Sequence, residues 1–111
     1  MKWDDLSENY CPVARTLSIV GDRWTLLIIR DCFFGLSKFS EFQNSLGITR
    51  HLLSERLKRL VEAEILEKRQ YQDRPPRDEY VLTARGRDLA DTLHALKKWG
   101  RTHMPVRRSA G

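Results

Sequence analysis

The chain has 111 residues, a formal net charge of +5 and two cysteines. This length suits one domain with a modest core, and two cysteines without metal-ligand spacing exclude a disulfide framework and a structural zinc site. The first residues lack the apolar run of a signal peptide, and no stretch approaches the roughly 18 apolar residues of a membrane helix. We therefore expect a single cytoplasmic domain, 1–111, that holds no cofactor and does not contact a membrane.

Two helices are predicted in the first third of the chain. The stretch "CPVARTLSIV" begins with a proline suited to a first helical turn, and Val13, Leu17 and Val20 recur at near-helical spacing. Gly21 interrupts the pattern, Asp22 is a natural N-cap, and "RWTLLIIRDCFF" continues to a glycine that suits a C-terminal cap. Because this second segment has little polar face, we expect it to be the buried centre of the domain.

The next segment has the pattern of a helix-turn-helix. In "SEFQ", the Ser40 hydroxyl and the Gln43 side chain fit a capping box, which predicts a short third helix over residues 41–46. The letters "GIT" then supply a three-residue turn, and Thr49 can cap the helix "RHLLSERLKRLVEAE". The apolar stripe of this fourth helix consists of Leu53, Leu57, Leu60 and Val61. Helix, three-residue turn and helix is the spacing of a helix-turn-helix.

The polar side of the fourth helix suits the major groove of DNA. Arg50 and Ser54 lie at its N-terminal flank, next to the positive end of the helix dipole. Arginine can pair with guanine edges, His51 and Ser54 can bond several bases, and Lys58 can neutralise a phosphate. A solvated amphipathic helix, stabilised by charge pairs four residues apart, is the alternative interpretation.

A hairpin with a stiff basic tip is predicted next. An extended pattern begins at "ILEKRQY", turns at "QDRPPR" and returns at "DEYVL". Pro75 and Pro76 cannot donate to a sheet ladder, so they belong at the tip, where they hold Arg74 and Arg77 away from the body. Such a tip suits a minor groove, in which narrow A·T segments concentrate negative potential. A surface turn whose arginines pair with neighbouring aspartates is the alternative.

A last helix is predicted over about 84–103, with Thr83 as its N-cap. Its leucines follow a heptad-like seam on a helix otherwise rich in charge, and the first helix offers a second apolar stripe. Two such stripes predict a homodimer. The predicted interface consists of Val13, Leu17, Leu89, Leu93 and Leu96.

Cys11 is a candidate redox-sensing residue. It precedes Pro12 at the start of the first helix, where the dipole favours the thiolate and lowers the thiol pKa from its usual value of about 8.5. Arg15, one turn along, can add to this effect. Cys32 lies in the apolar second helix and is expected to be inert. The alternative for Cys11 is the same inert role as a small buried hydrophobe.

Three stretches carry a resemblance to a known family: "CPVARTLSIVGDRWTLLIIRD", "FSEFQNSLGITRHLLSERLKRLVEAEILEKRQYQDRPPRDEYVLT" and "ARGRDL". Together they resemble the HxlR-type family of bacterial winged helix-turn-helix transcription regulators. The resemblance implies an α+β, mainly α fold, a winged helix-turn-helix with extra N- and C-terminal dimerisation helices. It implies a recognition helix at about 49–63, a wing at about 66–82 and a C-terminal dimerisation helix at about 84–103.

The resemblance also implies a function, that of a homodimer bound to double-stranded operator DNA, acting as a repressor or an activator. Some members of the family use a cysteine at the place of Cys11 to sense oxidants or electrophiles, often by bridging two subunits. The predicted DNA contacts are Ser40, Thr49, Arg50, His51, Ser54, Lys58, Arg59, Arg74 and Arg77. A winged-helix adaptor that docks proteins without operator specificity is the alternative.

Other features limit or modify this prediction. No nucleophile motif or Gly-rich phosphate loop is visible, so we expect no catalysis, and the residues do not identify a small-molecule effector. Glu64 stands where the family usually has a glycine after the recognition helix, so we expect either strain at that helix end or a helix that continues a little further. Asp78 stands where the family usually has an aromatic or neutral residue, and it places an acidic group near the predicted DNA surface.

Overall fold

The computed structural model describes residues 3–106, and the surroundings of side chains from residue 5 onward. A 3₁₀ helix over Trp3–Glu8 comes first. The elements that follow are α1 (Pro12–Val20), α2 (Thr25–Phe33), α3 (Phe39–Leu46), α4 (Arg50–Glu62), β1 (Leu66–Gln72), β2 (Arg77–Leu82), α5 (Ala84–Arg87) and α6 (Ala90–His103). A helix-turn-helix followed by an antiparallel hairpin is a winged helix-turn-helix, so the predicted fold class is confirmed.

The core lies where α2, α3, α4 and the start of β1 meet. Its buried apolar side chains are Val20, Ile28, Ile29, Phe42, Ile48, Leu53, Leu57, Leu60, Ile65 and Leu66. Three of the four residues in the predicted stripe of α4 are therefore fully enclosed, and Val61 packs against them from the edge. Burial of each such side chain contributes about 1.5–3 kcal/mol, which holds α4 firmly on the body of the domain.

The start of α2 differs from the prediction. The helix begins at Thr25, not directly after Asp22. Asp22, three positions before Thr25, nevertheless caps the start of the helix. Its carboxylate accepts hydrogen bonds from the backbone N–H of Trp24, at 3.1 Å, and from the Thr25 hydroxyl. The predicted capping residue is thus right in kind and wrong in position.

The expectation that α2 is buried throughout is also wrong in part. Ile28 and Ile29 are enclosed, but Phe33 is exposed and Phe34 is 70% exposed. An apolar helix shows this pattern when only one of its faces meets the core of its own chain. The helix ends as predicted, with Gly35 in the left-handed region at a φ of 96°.

The capping box predicted at Ser40 and Gln43 is wrong by two positions. Glu41 instead accepts hydrogen bonds from the backbone N–H groups of Lys38, at 2.9 Å, and Ser37, at 3.2 Å. These two bonds, the Lys38 bond first, lower the pKa of the Glu41 carboxyl. The third helix therefore starts before Ser40, and the Gln43 side chain donates to the loop after the helix.

The turn and the start of α4 form as predicted. Gly47 takes the left-handed conformation, with a φ of 65°, and the Thr49 hydroxyl accepts from the backbone N–H of Leu52 at 3.3 Å. At the other end of α4, the backbone N–H of Ile65 donates to the carbonyl of Leu60 at 2.9 Å, as in a Schellman motif.

This motif forces Glu64 into the left-handed region, with a φ of 62°. A residue with a Cβ pays about 1–2 kcal/mol for that conformation, so the predicted strain at this helix end is confirmed.

The hairpin is tied to the helix-turn-helix at its base. Strands β1 and β2 pair in antiparallel register from Leu66 opposite Leu82, with an irregularity between residues 70 and 72. The backbone N–H of Tyr80 donates to the carbonyl of Ser37 at 2.8 Å, and the Ser37 hydroxyl donates to the Glu79 carboxylate at 3.0 Å. The segment before α3 thus pairs with β2 through one isolated β-bridge, between Lys38 and Glu79.

The last helix predicted over 84–103 has the predicted outer bounds, but it is not continuous, because residues 88–89 divide it into α5 and α6. Thr83 caps α5, and its hydroxyl accepts from the backbone N–H of Gly86 at 3.0 Å. A Cβ on Gly86 would overlap the carbonyl oxygen of Ile65, so α5 packs backbone to backbone on the chain that follows α4. This close docking fixes the position of α5 on the domain.

Among residues 3–106, none of the helices is long and apolar enough to cross a membrane.

Candidate nucleic-acid interface

The outward face of α4 brings together four of the predicted DNA contacts. Arg50, His51, Ser54 and Lys58 are all exposed, and at 100° per residue they span about 100° of the helix circumference. This face begins at the first residue of a helix whose Leu53, Leu57 and Leu60 are enclosed. The arrangement presents one guanidinium, one imidazole, one hydroxyl and one ammonium group to solvent.

The remaining predicted contacts near this helix have different surroundings. Ser40 is exposed on the first turn of α3, and the Thr49 hydroxyl is used by the helix cap. Arg59 is half-buried on another side of α4 and lines a small cavity with Ser18 and Ile19 of α1. The structure therefore separates Arg59 from the four outward residues.

An aromatic side chain supports Arg50. The guanidinium carbon of Arg50 lies 5.3 Å from the centre of the Phe39 ring, within the range of a cation–π contact. Phe39 is the first residue of α3, so the helix that precedes the turn holds a side chain of the helix that follows it. Phe39 is not among the residues predicted from the sequence. An aromatic residue at the start of the helix before a recognition helix is the sequence feature that could have indicated this contact.

The tip of the hairpin presents both predicted arginines to solvent. Arg74 and Arg77 are exposed, and the ion pairs of the described residues include none between either arginine and Asp73 or Asp78. Asp78 lies instead with its carboxylate 3.6 Å from the ammonium of Lys68. The acidic group that departs from the family pattern is thus partly neutralised within the hairpin.

A lysine lies between the helix-turn-helix and the hairpin. The ammonium nitrogen of Lys38 is 4.9 Å from the centre of the Tyr71 ring, and Lys38 forms an isolated β-bridge with Glu79. The contact places a positive charge at the junction of the two candidate DNA-binding elements. Lys38 is not among the residues predicted from the sequence, because its position depends on pairing with Glu79, a residue far along the chain.

The two cysteines have opposite environments. Cys11 is the N-cap residue of α1 and is partly exposed, and the backbone N–H groups of Ala14 and Val13, with the nearby Arg15 charge, lower the pKa of its thiol. Burial, with the Asp31 charge, raises the pKa of Cys32 to about 12. The predicted difference between the two thiols is confirmed.

An apolar groove of about 560 Å³ separates α2 from α6. Its lining consists of the apolar Leu26, Leu27, Phe33, Phe34, Ala90, Leu93 and Leu96, together with Arg30, His94 and Lys97. Of the predicted interface residues, Val13, Leu17 and Leu96 are exposed, with Val13 67% exposed. Leu89 and Leu93 pack partly against the core of their own chain.

Comparison with known proteins agrees with this architecture. The uncharacterized HTH-type transcriptional regulator Rv3095 of Mycobacterium tuberculosis is 45% identical over 107 residues, which cover 95% of this chain and 68% of the relative. The crystal structure of PA1607 superposes with a TM-score of 0.87 at 37% identity, covering 96% of this chain and 75% of that one. The reduced form of the redox regulator HypR superposes with a TM-score of 0.78 at 31% identity, covering 83% and 92%.

The winged helix-turn-helix and these relatives place the protein among transcriptional regulators, which are not a class of enzyme. The HxlR-like helix-turn-helix family matches residues 19–108, and the chain belongs to that family.

Proposed function

We propose that this protein is a cytoplasmic transcriptional regulator that binds double-stranded operator DNA specifically, as a homodimer. The observation that carries the proposal is the outward face of α4, where Arg50, His51, Ser54 and Lys58 are exposed on a helix whose leucines are packed in the core. Arg50 can donate two hydrogen bonds to a guanine edge, and Lys58 supplies a phosphate contact.

The hairpin serves as the second DNA contact. Its tip holds Arg74 and Arg77 in solvent, and its base is hydrogen bonded to the segment before α3. These arginines can contact DNA phosphates. Such contacts release counterions, so they make binding salt dependent without reading the base sequence. We assign affinity mainly to the wing and base selection mainly to α4.

The dimer is closed by the terminal helices. Tyr10, Val13 and Leu17 leave an apolar ridge exposed along the start of the chain, and the groove between α2 and α6 offers an apolar concavity. Two copies related by a two-fold axis can exchange ridge and groove reciprocally. Such a dimer would present two α4 helices to half-sites about 34 Å apart, or a multiple of that distance, on an inverted repeat.

The proposed switch is oxidation of Cys11. Its lowered pKa and partial exposure favour reaction with a peroxide to a sulfenic acid, which a thiol of a second subunit can convert to a disulfide with loss of water. The similarity to HypR, a redox regulator, supports this assignment. Oxidation at the start of α1 would change the spacing of the two α4 helices and hence operator affinity.

The test is selection of bound sequences from a random duplex pool, with and without oxidant. Enrichment of an inverted repeat supports the proposal, whereas no enrichment, with binding to proteins instead, would identify an adaptor. Operator affinity should change with diamide in the parent and not in Cys11→Ser. A response that persists in Cys11→Ser contradicts the proposed switch while leaving operator binding intact.

A second measurement separates the two DNA contacts. The Arg74→Ala and Arg77→Ala double variant should reduce the slope of log affinity against log salt by about two, with base preference unchanged. Arg101→Ala, an exposed arginine on α6, is the matched control and should leave the slope unchanged. An unchanged slope in the double variant would remove the wing from the interface.

A further inference from the structure

An ion pair joins the rear of α4 to the junction between α1 and α2. Nε of Arg56 donates to Oδ2 of Asp22 at 2.8 Å, and Nη1 of the same guanidinium donates to Oε1 of Glu55 at 2.9 Å. The Asp22 and Arg56 side chains are only 11% and 14% exposed, whereas Glu55 is 48% exposed. The bond to Asp22 is therefore shielded from salt, and the bond to Glu55 is not.

Asp22 is itself held in place by the start of α2. Its carboxylate also accepts from the backbone N–H of Trp24 and from the hydroxyl of Thr25, a residue that is almost fully buried. Burial opposes ionisation of Asp22, yet the hydrogen bonds from Thr25 and Arg56 outweigh it and lower the pKa of the carboxyl. Arg56 thus meets a fixed, charged acceptor.

The direction of Arg56 is opposite to that of the outward face. Two residues along a helix correspond to a turn of about 200°, so Arg56 points away from both Ser54 and Lys58. The leucine stripe beside it is packed by non-directional contacts, which resist separation of α4 from the core more than rotation about its own axis. A hydrogen-bonded ion pair has a preferred direction, so it fixes that rotation.

A small rotation is enough to matter. At the radius of helix side chains, about 5–6 Å, a turn of about 20° moves a side-chain tip by roughly 2 Å. Hydrogen bonds to base edges weaken steeply over a much smaller displacement. Contacts to phosphates depend on charge and tolerate such a shift better than bidentate contacts to bases.

We propose that Asp22 and Arg56 are positioning residues, whose ion pair sets the rotation of α4 and thereby the base selectivity of the regulator. The inference rests on the proposed operator binding. Loss of this ion pair should lower affinity for the operator and leave affinity for random DNA unchanged, whereas a general loss of structure would lower both.

The experiment compares operator and random duplex binding in Asp22→Asn, Arg56→Met, Arg56→Lys and the Asp22→Asn/Arg56→Met double variant. In each variant the ratio of the two affinities should fall about tenfold, with random-DNA affinity and its salt slope unchanged. The double variant should lose no more selectivity than either single variant, because both changes break the same bond. Thermal melting identifies the variants that are folded at the assay temperature, and Arg56→Lys replaces Arg56→Met where the latter does not fold.

Glu55→Gln is the matched control, since it removes the exposed partner of the same guanidinium, and selectivity should remain at the parental value. An unchanged affinity ratio in folded Asp22→Asn and Arg56→Lys overturns the inference, as does a double variant with additive losses or an equal loss in Glu55→Gln. If the parent itself shows no selectivity, it is the proposed function that fails. If the parent and the folded variants all prefer the operator to the same degree, operator binding stands and only the positioning role of Asp22 and Arg56 is refuted.

Discussion

The apolar side chains of α4 and those of the terminal helices lie in opposite surroundings. Leu53 and Leu57 have no exposed surface, while Val13, Leu96 and Trp99 on α1 and α6 are mostly open to solvent. A contiguous exposed apolar patch on a protein is typical of an interaction surface. The helix-turn-helix therefore completes its core within one chain, and the terminal helices leave theirs to be completed by the proposed partner subunit.

The largest contrast is expected between the two thiols. With a pKa of about 12, Cys32 holds roughly three orders of magnitude less thiolate near neutral pH than an unperturbed cysteine. Cys11, whose pKa is lowered, should hold more thiolate than that reference. Labelling by a thiol reagent, followed by peptide mass spectrometry, should modify Cys11 faster by at least this factor. Equal rates would show that the two environments do not differ in solution.

Core truncation should have the next largest effect. Leu57→Ala removes an enclosed side chain and should lower the free energy of unfolding by about 2–5 kcal/mol, measured by urea denaturation. Leu17→Ala, an exposed leucine on α1, is the control, and in dilute protein it should cost well under half as much. Similar losses at both positions would contradict the division into a complete and an incomplete core.

The dimer contact gives a smaller effect that depends on concentration. Leu96 is 51% exposed and lines the groove, so Leu96→Glu would bury a carboxylate in an apolar interface and weaken dimerisation by about 2–4 kcal/mol. Sedimentation equilibrium measures this change. Lys98→Glu, at an exposed position that does not line the groove, should leave the dissociation constant nearly unchanged. A monomeric parent at micromolar concentration would rule out the dimer.

The smallest effect concerns the backbone at the end of α4. Glu64 has a φ of 62°, so Glu64→Gly should relieve strain and raise the free energy of unfolding by up to about 1 kcal/mol. Ala63, the preceding residue, has a φ of −80°, and Ala63→Gly should lower stability by about 0.5–1 kcal/mol. Thermal unfolding measures both changes, and the melting temperatures of the two variants should shift in opposite directions. Shifts in the same direction would contradict the strain at Glu64.

Features set by local pattern could be predicted from the sequence. The stripe of α4 and the Thr49 cap depend on residues three or four positions apart, and the two strands depend on alternation and on the prolines between them. The outward face of α4 followed from the same periodicity. The lowered pKa of Cys11 followed from its position at the start of a helix.

Features set by contacts between distant segments could not be predicted. The start of α3 depends on Ser37 and Lys38, which are held by the second strand of the hairpin. The interruption between α5 and α6 follows the close approach of Gly86 to Ile65, a contact that no local pattern shows. Likewise, hydrophobicity shows that Phe34 is apolar but not whether its own chain covers it.

The bridge between Lys38 and Glu79 divides the hairpin into a length that is bonded to the helix-turn-helix and a length that extends beyond it. Toward the body, the Tyr80 amide is held by the Ser37 carbonyl, whereas beyond the irregularity at residues 70–72 few bonds must break for local opening. Amide hydrogen exchange should therefore be slow at Tyr80 and fast toward the tip. In the proposed complex, the tip with its two prolines can then move as one unit with changes in groove width while α4 stays in place.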